Sequence, residues 1–233
     1  MLAKVINLDT RKDRWARLEP ILKRTTSEWQ RYEATKPKEE HIWSSLSRKT
    51  RAEFKSERKT HPGVHSIGAV GCYLSHLAVW KEFLASDKQF LAVLEDDIDA
   101  ITDAQINNGI QLLKSSDIVL LGYVRKPELD NGLVKPWPNG PGFTASHAYM
   151  LNRKAAKLLV QHALPIEMQL DFYLQAIAYD HELQIRLIRD PVKQARTGSD
   201  VFSLCILCES SWIYAGFLVM VLLAVVLGYA CLK

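Results

Sequence analysis

Cysteine is scarce in the body of this chain. Of its four cysteines, Cys205, Cys208 and Cys231 fall in the last 29 residues, which leaves Cys72 alone before them. A disulfide-stapled secreted domain is thereby excluded for the globular part. No Asn-x-Ser/Thr acceptor occurs, in keeping with a domain that stays out of the secretory lumen. The N-terminal residues contain no apolar run long enough for a secretory signal. No sign of charge dominates either. The net charge of +4 divides into 16 Lys and Arg against 9 Asp and Glu over residues 1–70, and 14 against 17 over residues 71–233. A basic front on a mildly acidic remainder is not the footprint of a dedicated nucleic-acid binder, and the basic cluster lacks the interleaved aromatics that stack bases. Internal repeats and low-complexity tracts are absent.

What is present is enough to fold. Hydrophobic residues make up 48% and charged residues 24% of 233 residues, the balance of a globular chain of one domain. One long hydrophobic run stands apart. Residues 212–232 read WIYAGFLVMVLLAVVLGYACL, 21 residues without a charge. As a helix they would span about 31 Å, the thickness of a bilayer's hydrocarbon core. Trp212, Tyr214 and Tyr229 suit its two interfaces. The expectation is a globular domain over 1–200, a juxtamembrane linker over 201–211 and a transmembrane helix over 212–232, with the lipid bilayer as a partner. Lys233 alone follows the span, whereas Arg186, Arg189, Lys193 and Arg196 precede it, which leaves the globular part facing the cytosol. Cys205 and Cys208 read equally as acylation sites or as apolar side chains near lipid.

Along the body, residues 3–8 read as a strand, followed by a helix through Leu22. Residues 36–66 look the least ordered, and their run of Arg48, Lys49, Arg51, Lys55, Arg58 and Lys59 reads either as a solvated face or as an electropositive loop near an anionic ligand or lipid. Apolar residues from Val70 to Leu84 recur at helical spacing. Residues 89–95 and 117–122 are apolar runs of strand length, as in strands covered on both faces. Residues 104–114 form a helix, and residues 126–142, with four prolines and three glycines, a long loop. A strand over 143–151 leads to Asn152, the N-cap of a helix through His162. A helix over 168–179 and a strand over 183–188 complete the pattern. Strands alternating with helices predict an α/β fold with a mostly parallel sheet flanked by helices.

The run at 89–95 ends in Glu95-Asp96-Asp97, at the carboxyl edge where open α/β sheets bind ligands. Strand side chains alternate, so Glu95 and Asp97 would share one face and Asp96 the other. Two oxygen ligands at i and i+2 suit Mg²⁺ or Mn²⁺ with positions left open for a diphosphate; the competing reading is a polar turn. A metal-dependent phosphohydrolase could use the same carboxylates, but would want further ligating histidines or aspartates beside them.

Several segments, taken in order, resemble glycosyltransferase family 25, the group of bacterial lipooligosaccharide and animal procollagen galactosyltransferases. Val5-Ile6-Asn7-Leu8-Asp9 with Arg14 is similar to the family's opening strand and arginine. Gly68-Ala69-Val70-Gly71-Cys72-Tyr73-Leu74-Ser75-His76, running on to Trp80, resembles its most specific motif, and Leu94-Glu95-Asp96-Asp97 its acidic motif. Ala145-Ser146-His147-Ala148-Tyr149, Pro165 with Asp171, and Gln194 with Ser199 resemble its later pieces. Ala145 stands where a glycine is common.

The resemblance implies a GT-A-like fold and a metal-dependent, inverting transfer of a hexose, galactose first, from a UDP-sugar to a glycan or protein hydroxyl. It implies Mn²⁺ or Mg²⁺ on Glu95 and Asp97. It assigns donor binding to Asn7, Arg14, Ser75, His76 and Asp96, and the catalytic base to Asp171. Arg14 reads alternatively as a surface charge, His76 as a packing residue and Asp171 as a helix-surface carboxylate. The alternative for the whole chain is a non-catalytic membrane-anchored relative that binds a sugar or a protein. No nucleic-acid partner is expected.

Overall fold

The computed structural model describes residues 1–56, 62–124, 126–140 and 142–195. Ser199, Cys205, Cys208, Cys231 and the span 212–232 lie outside the described residues. Among the described residues no helix is long and apolar enough to cross a membrane.

The apolar runs form the middle of a six-stranded sheet. In chain order the elements are β1 (Leu2–Asn7), α1 (Lys12–Leu22), β2 (Trp29–Glu33), α2 (Glu39–Ile42) with a 3-10 turn over Trp43–Ser45, α3 (Arg48–Lys55), α4 (Ile67–Ala85), β3 (Phe90–Glu95) and α5 (Asp103–Leu113). They continue with β4 (Ile118–Gly122), a two-residue-stranded hairpin of β5 (Leu129–Asp130) and β6 (Leu133–Val134), β7 (Ala148–Asn152), α6 (Arg153–Gln161), α7 (Leu170–Asp180) and β8 (Ile185–Val192). The main sheet runs β2-β1-β3-β7-β4-β8. β7 is antiparallel to both neighbours, and the other pairings are parallel. The expected mostly parallel α/β sheet is therefore present, with one reversed strand inside it.

Strand alternation divides the core in two. Leu91 and Val93 of β3, Ile118 and Leu120 of β4, and Tyr149 and Leu151 of β7 face a cluster with Trp80 and Phe83 of α4, Leu159 of α6 and Leu174 of α7. Ala92, Leu94, Val119, Leu121, Ala148 and Met150 point the other way, against Leu18 and Leu22 of α1 and Ile106 and Leu113 of α5. Side chains cap several helix starts. Ser66 accepts from Ala69 N–H, Asn152 accepts from Ala155 N–H as expected, and Thr102 forms a reciprocal capping box with Gln105.

Two expectations need correction, and one strand was not expected at all. Residues 29–33 form an edge strand that the sequence hides, because Gln30, Arg31 and Glu33 are exposed and no apolar run marks it. Residues 36–56 are more ordered than expected, whereas residues 57–61, with Arg58 and Lys59, lie outside the described residues. Ser47 caps α3 through Thr50 N–H, and Ile42 and Leu46 are buried in the core, so Arg48, Lys49, Arg51 and Lys55 lie on a short helix. The strand expected over 143–151 begins only at Ala148, and Ala145, at φ +77°, lies outside the extended conformation that a ladder needs.

Glycine is required at Gly71, in the second turn of α4. A Cβ there would lie 2.6 Å from the carbonyl oxygen of Thr35 and 3.0 Å from Pro37 Cδ. Ser75, one turn on, donates to Gly71 O at 2.7 Å and accepts from Thr35 N–H at 2.8 Å. The segment after β2 is thus strapped onto α4. Gly71→Ala should improve helix propensity by about 1 kcal/mol, yet lower net stability by about 1–2 kcal/mol through overpacking. Thermal unfolding tests this, and an unchanged or raised Tm would mean that the strap yields freely.

Candidate active site

A cleft of about 640 Å³ opens at the carboxyl edge of the parallel strands, lined by residues from β1, the strap after β2, α4, the end of β3, the approach to β7, the start of α7 and the segment after β8. Its size suits a nucleotide-sized ligand. Glu95, Asp96, Asp97, Arg14, Ser75, His76 and Asp171 all line it. Asn7 does not; it is buried beneath.

The acidic motif is a strand end followed by a turn. β3 stops at Glu95, so the expected alternation of the three carboxylates across two strand faces does not hold, and all three meet the same cleft. Asp96 is bound to the protein through both oxygens. Asn7 Nδ2–H donates to Oδ2 at 2.6 Å, and Arg14 Nη1–H donates to Oδ1 at 2.8 Å. Asn7 Oδ1 in turn accepts from Arg31 Nε–H at 2.7 Å, while Arg17 donates to the carbonyls of Asp96 and Ile98 at 3.1 and 2.7 Å. Asn7 and Asp96 therefore hold the turn in place.

The flanking carboxylates are arranged differently. Glu95 Oε1 accepts from Ser146 Oγ–H at 3.0 Å and lies 3.5 Å from His76 Nε2. Asp97 Oδ2 accepts from Gln194 Nε2–H at 2.6 Å, while its Oδ1 is buried with no hydrogen-bond partner. An orphaned buried carboxylate oxygen beside a second carboxylate is a fitting donor set for a hard divalent cation. Protonation follows the same geometry. Burial opposes the charge of Glu95, but the His76 ring, with His147 and the Ser146 hydroxyl, outweighs it and holds the carboxyl below its ordinary value. Asp97 moves the other way. Burial first, then the neighbouring Glu95 carboxylate, push it up to about 7, against the pull of Gln194 and Arg14.

His76 and Ser75 are fully buried. His76 Nδ1 meets Tyr149 Oη at 2.7 Å, and the same oxygen accepts from Trp80 Nε1–H at 2.9 Å. His147 Nε2–H donates to Val192 O at 2.9 Å, against the open face of Gly122, where a Cβ would lie 2.1 Å from the ring. Asp171, in the first turn of α7, accepts from Phe172 N–H at 2.9 Å and from Ala145 N–H at 3.3 Å. Ala145 has φ +77°, a left-handed conformation that costs an alanine about 1–2 kcal/mol. The glycine common at that position would relieve it. Gln175, fully buried, ties this corner together, donating to Phe143 O and Asp171 O and accepting from the N–H groups of Trp137 and Phe143.

Thr35, Lys36, Cys72, Ser146, His147, Gln169 and Gln194 also line the cleft, and none of them stood among the expected site residues. Ser146, His147 and Gln194 lay in segments already matched to the family, so their adjacency to Glu95 and Asp97 is what the sequence could not supply. Thr35 and Lys36 follow the unmarked edge strand and left no signal.

The shift at Asp97 makes stability pH-dependent. A carboxyl that holds its proton more tightly folded than unfolded weakens the fold as pH rises between its two values, here from 3.8 to about 7. In cation-free protein, unfolding free energy should fall across that window by up to about 4 kcal/mol, and Asp97→Asn should remove most of the fall. Urea melts at about pH 4 and about pH 8 measure it, and an equal slope in the variant would acquit Asp97.

No curated protein matches the chain. Among solved structures, it is similar to 4-diphosphocytidyl-2C-methyl-D-erythritol synthase from Anaerococcus prevotii (9% identity, 94% of this chain and 78% of that one, TM-score 0.40). It is also similar to mouse xyloside xylosyltransferase 1 (11% identity, 80% and 84%, TM-score 0.43) and to A197 from STIV (14% identity, 81% and 82%, TM-score 0.38). The family model described as glycosyltransferase family 25 (LPS biosynthesis protein) matches residues 3–133, which takes in the opening strand, the strapped helix with its Ser-His pair and the acidic turn. The chain belongs to glycosyltransferase family 25 and is a glycosyltransferase.

Proposed function

We propose that this glycosyltransferase has a GT-A-like fold and moves a hexose, galactose first, from a UDP-sugar to a glycan or protein hydroxyl, with inversion and with Mn²⁺ or Mg²⁺ on Glu95 and Asp97. The observation that carries the reading is the Glu95–Asp97 pair with its orphaned buried oxygen, in one cleft with Asp171. A divalent cation bound there would neutralise the charge that gathers on the diphosphate as the sugar leaves.

The chain's own residues supply the rest. Asn7, Arg14 and Arg17 fix the turn so that Glu95 and Asp97 face the cleft. Lys36, exposed where it lines the cleft, adds positive charge for a diphosphate, whereas the charge of Arg14 is met by Asp96. The acceptor hydroxyl gives its proton to Asp171 as its oxygen bonds to the sugar carbon; the bond from that carbon to the diphosphate breaks, and UDP leaves with the electron pair. Direct displacement of this kind inverts the carbon.

Two substitutions separate the roles. Asp97→Ala should abolish cation-dependent UDP-sugar binding in titration calorimetry while leaving the fold intact. Asp171→Asn should lower kcat by roughly 10²–10⁴ and leave UDP-sugar affinity unchanged. Turnover that survives in the first variant would end the metal assignment, and parallel loss of binding in the second would remove Asp171 as the base.

We also propose that residues 212–232 anchor the enzyme in a bilayer with its globular part toward the cytosol. The uncharged stretch of 21 residues supports this. The full chain should stay with membranes through carbonate extraction, and protease added to the cytosolic face of sealed vesicles should digest the globular part. Release by carbonate would overturn the anchor, and protection from protease the orientation.

A further inference from the structure

Two residues lining the cleft, Cys72 and His76, have no role in the proposed transfer and stand beside Glu95, which does. Cys72 and His76 stand one turn apart on α4 and so share a face, and β3 ends in Glu95 against that face. The Cys72 sulfur, a His76 ring nitrogen and a Glu95 oxygen lie within 4.8 Å of one another. His76 is fully buried, and its Nε2 has no hydrogen-bond partner. The Glu95 oxygen lies 3.5 Å from it, within ion-pair range and long for a hydrogen bond. An unpartnered ring nitrogen in the interior is costly, and this one is aimed at a thiol and a carboxylate.

The far side of the ring is prepared for ligation. Nδ1 lies 2.7 Å from Tyr149 Oη, which also receives the Trp80 indole N–H at 2.9 Å. A phenolic oxygen has two lone pairs, so it can accept from Nδ1–H and from the indole together. That tautomer leaves the Nε2 lone pair facing Cys72 and Glu95. An outer partner that fixes ring orientation and tautomer is the usual companion of a metal-bound histidine.

We propose that Cys72, His76 and Glu95 form a three-ligand site for Zn²⁺, with its fourth position open to the cleft. Sulfur, imidazole and carboxylate together select a borderline, thiophilic ion over Mn²⁺ or Mg²⁺. Ligand atoms around tetrahedral zinc sit roughly 3–4 Å apart, so closure asks for a small side-chain movement. Binding releases the Cys72 thiol proton to solvent, and nothing is oxidised or reduced. The site does not depend on the donor reading. It shares Glu95 with the proposed hard-ion pair, so Zn²⁺ and Mn²⁺ compete.

Co²⁺ serves as the probe, because a thiolate ligand gives it a charge-transfer band that nitrogen and oxygen ligands do not. In the full chain carrying Cys205→Ser, Cys208→Ser and Cys231→Ser, Cys72 is the only thiol. This protein should bind one equivalent of Co²⁺ with that band, and one equivalent of Zn²⁺ should abolish it. Adding Cys72→Ser should remove the band with the far-ultraviolet circular dichroism unchanged. Tyr149→Phe should weaken Zn²⁺ roughly 10–100-fold in chelator competition. In the otherwise unsubstituted chain, Cys72→Ser should lower Zn²⁺ stoichiometry by one equivalent, which decides the matter if the triple variant does not fold. Absence of the band, its survival after Cys72→Ser, or unchanged stoichiometry overturns the site. None of these measurements uses a nucleotide-sugar, so failure of the donor reading leaves them untouched.

Discussion

The buried ion pair between Arg14 and Asp96 is the constraint on which the site depends. Three carboxylates in succession at one sheet edge repel each other, and their turn would not hold without a counter-charge. Arg14 and Asp96 meet at 2.8 Å with side chains only 6% and 8% exposed. Burying such a pair costs desolvation that its attraction barely repays, and losing one partner strands a charge at a cost of about 3–5 kcal/mol. The pair is therefore better understood as a positioning device. It ties α1 to the end of β3, neutralises the middle carboxylate and leaves Glu95 and Asp97 as the two carboxylates of the acidic motif with no arginine ion pair among the described residues.

The reversed strand does the complementary work. Parallel strands deliver to the carboxyl edge only the residues that leave them. β7 runs the other way between β3 and β4, so the residues that enter it arrive at that same edge. Ser146 reaches Glu95, His147 reaches the end of β8, and Ala145 meets Asp171. Just inside the strand, Tyr149 turns to the α4 face of the sheet and supports His76 from behind. One antiparallel strand thus connects the acidic turn, the base candidate and the Ser-His helix, which lie far apart in the chain.

Much of the fold was legible because its signals are local. The buried runs of β3 and β4, the cap at Asn152 and the periodicity of α4 each depend on near neighbours in sequence. The edge strand β2 was not legible, because an edge needs no apolar run and its Gln30, Arg31 and Glu33 face water. The order in residues 36–56 was hidden for a related reason. Ile42, Leu46 and Thr50 are single buried anchors in a polar stretch, and they pack against partners distant in sequence such as Ile166 and Glu167.

Sequence by itself determined the α/β class, the family, and the residue types that meet in the cleft. It did so because burial periodicity and short motifs are properties of contiguous residues. Tertiary structure alone decided how those residues divide the labour. Asn7, Arg14 and Asp96 stood in the sequence as donor contacts, yet Asn7 is buried beneath the cleft and only Arg14 and Asp96 reach its wall. The strand ends one residue before Asp96, so the three carboxylates share a cleft instead of alternating. The raised Asp97 arises from burial and the nearby Glu95 carboxylate against the pull of Gln194, and the lowered Glu95 from His76, His147 and Ser146, which lie 19 or more positions away in the chain. Such quantities depend on distance in space and on local dielectric, which no run of adjacent residues encodes.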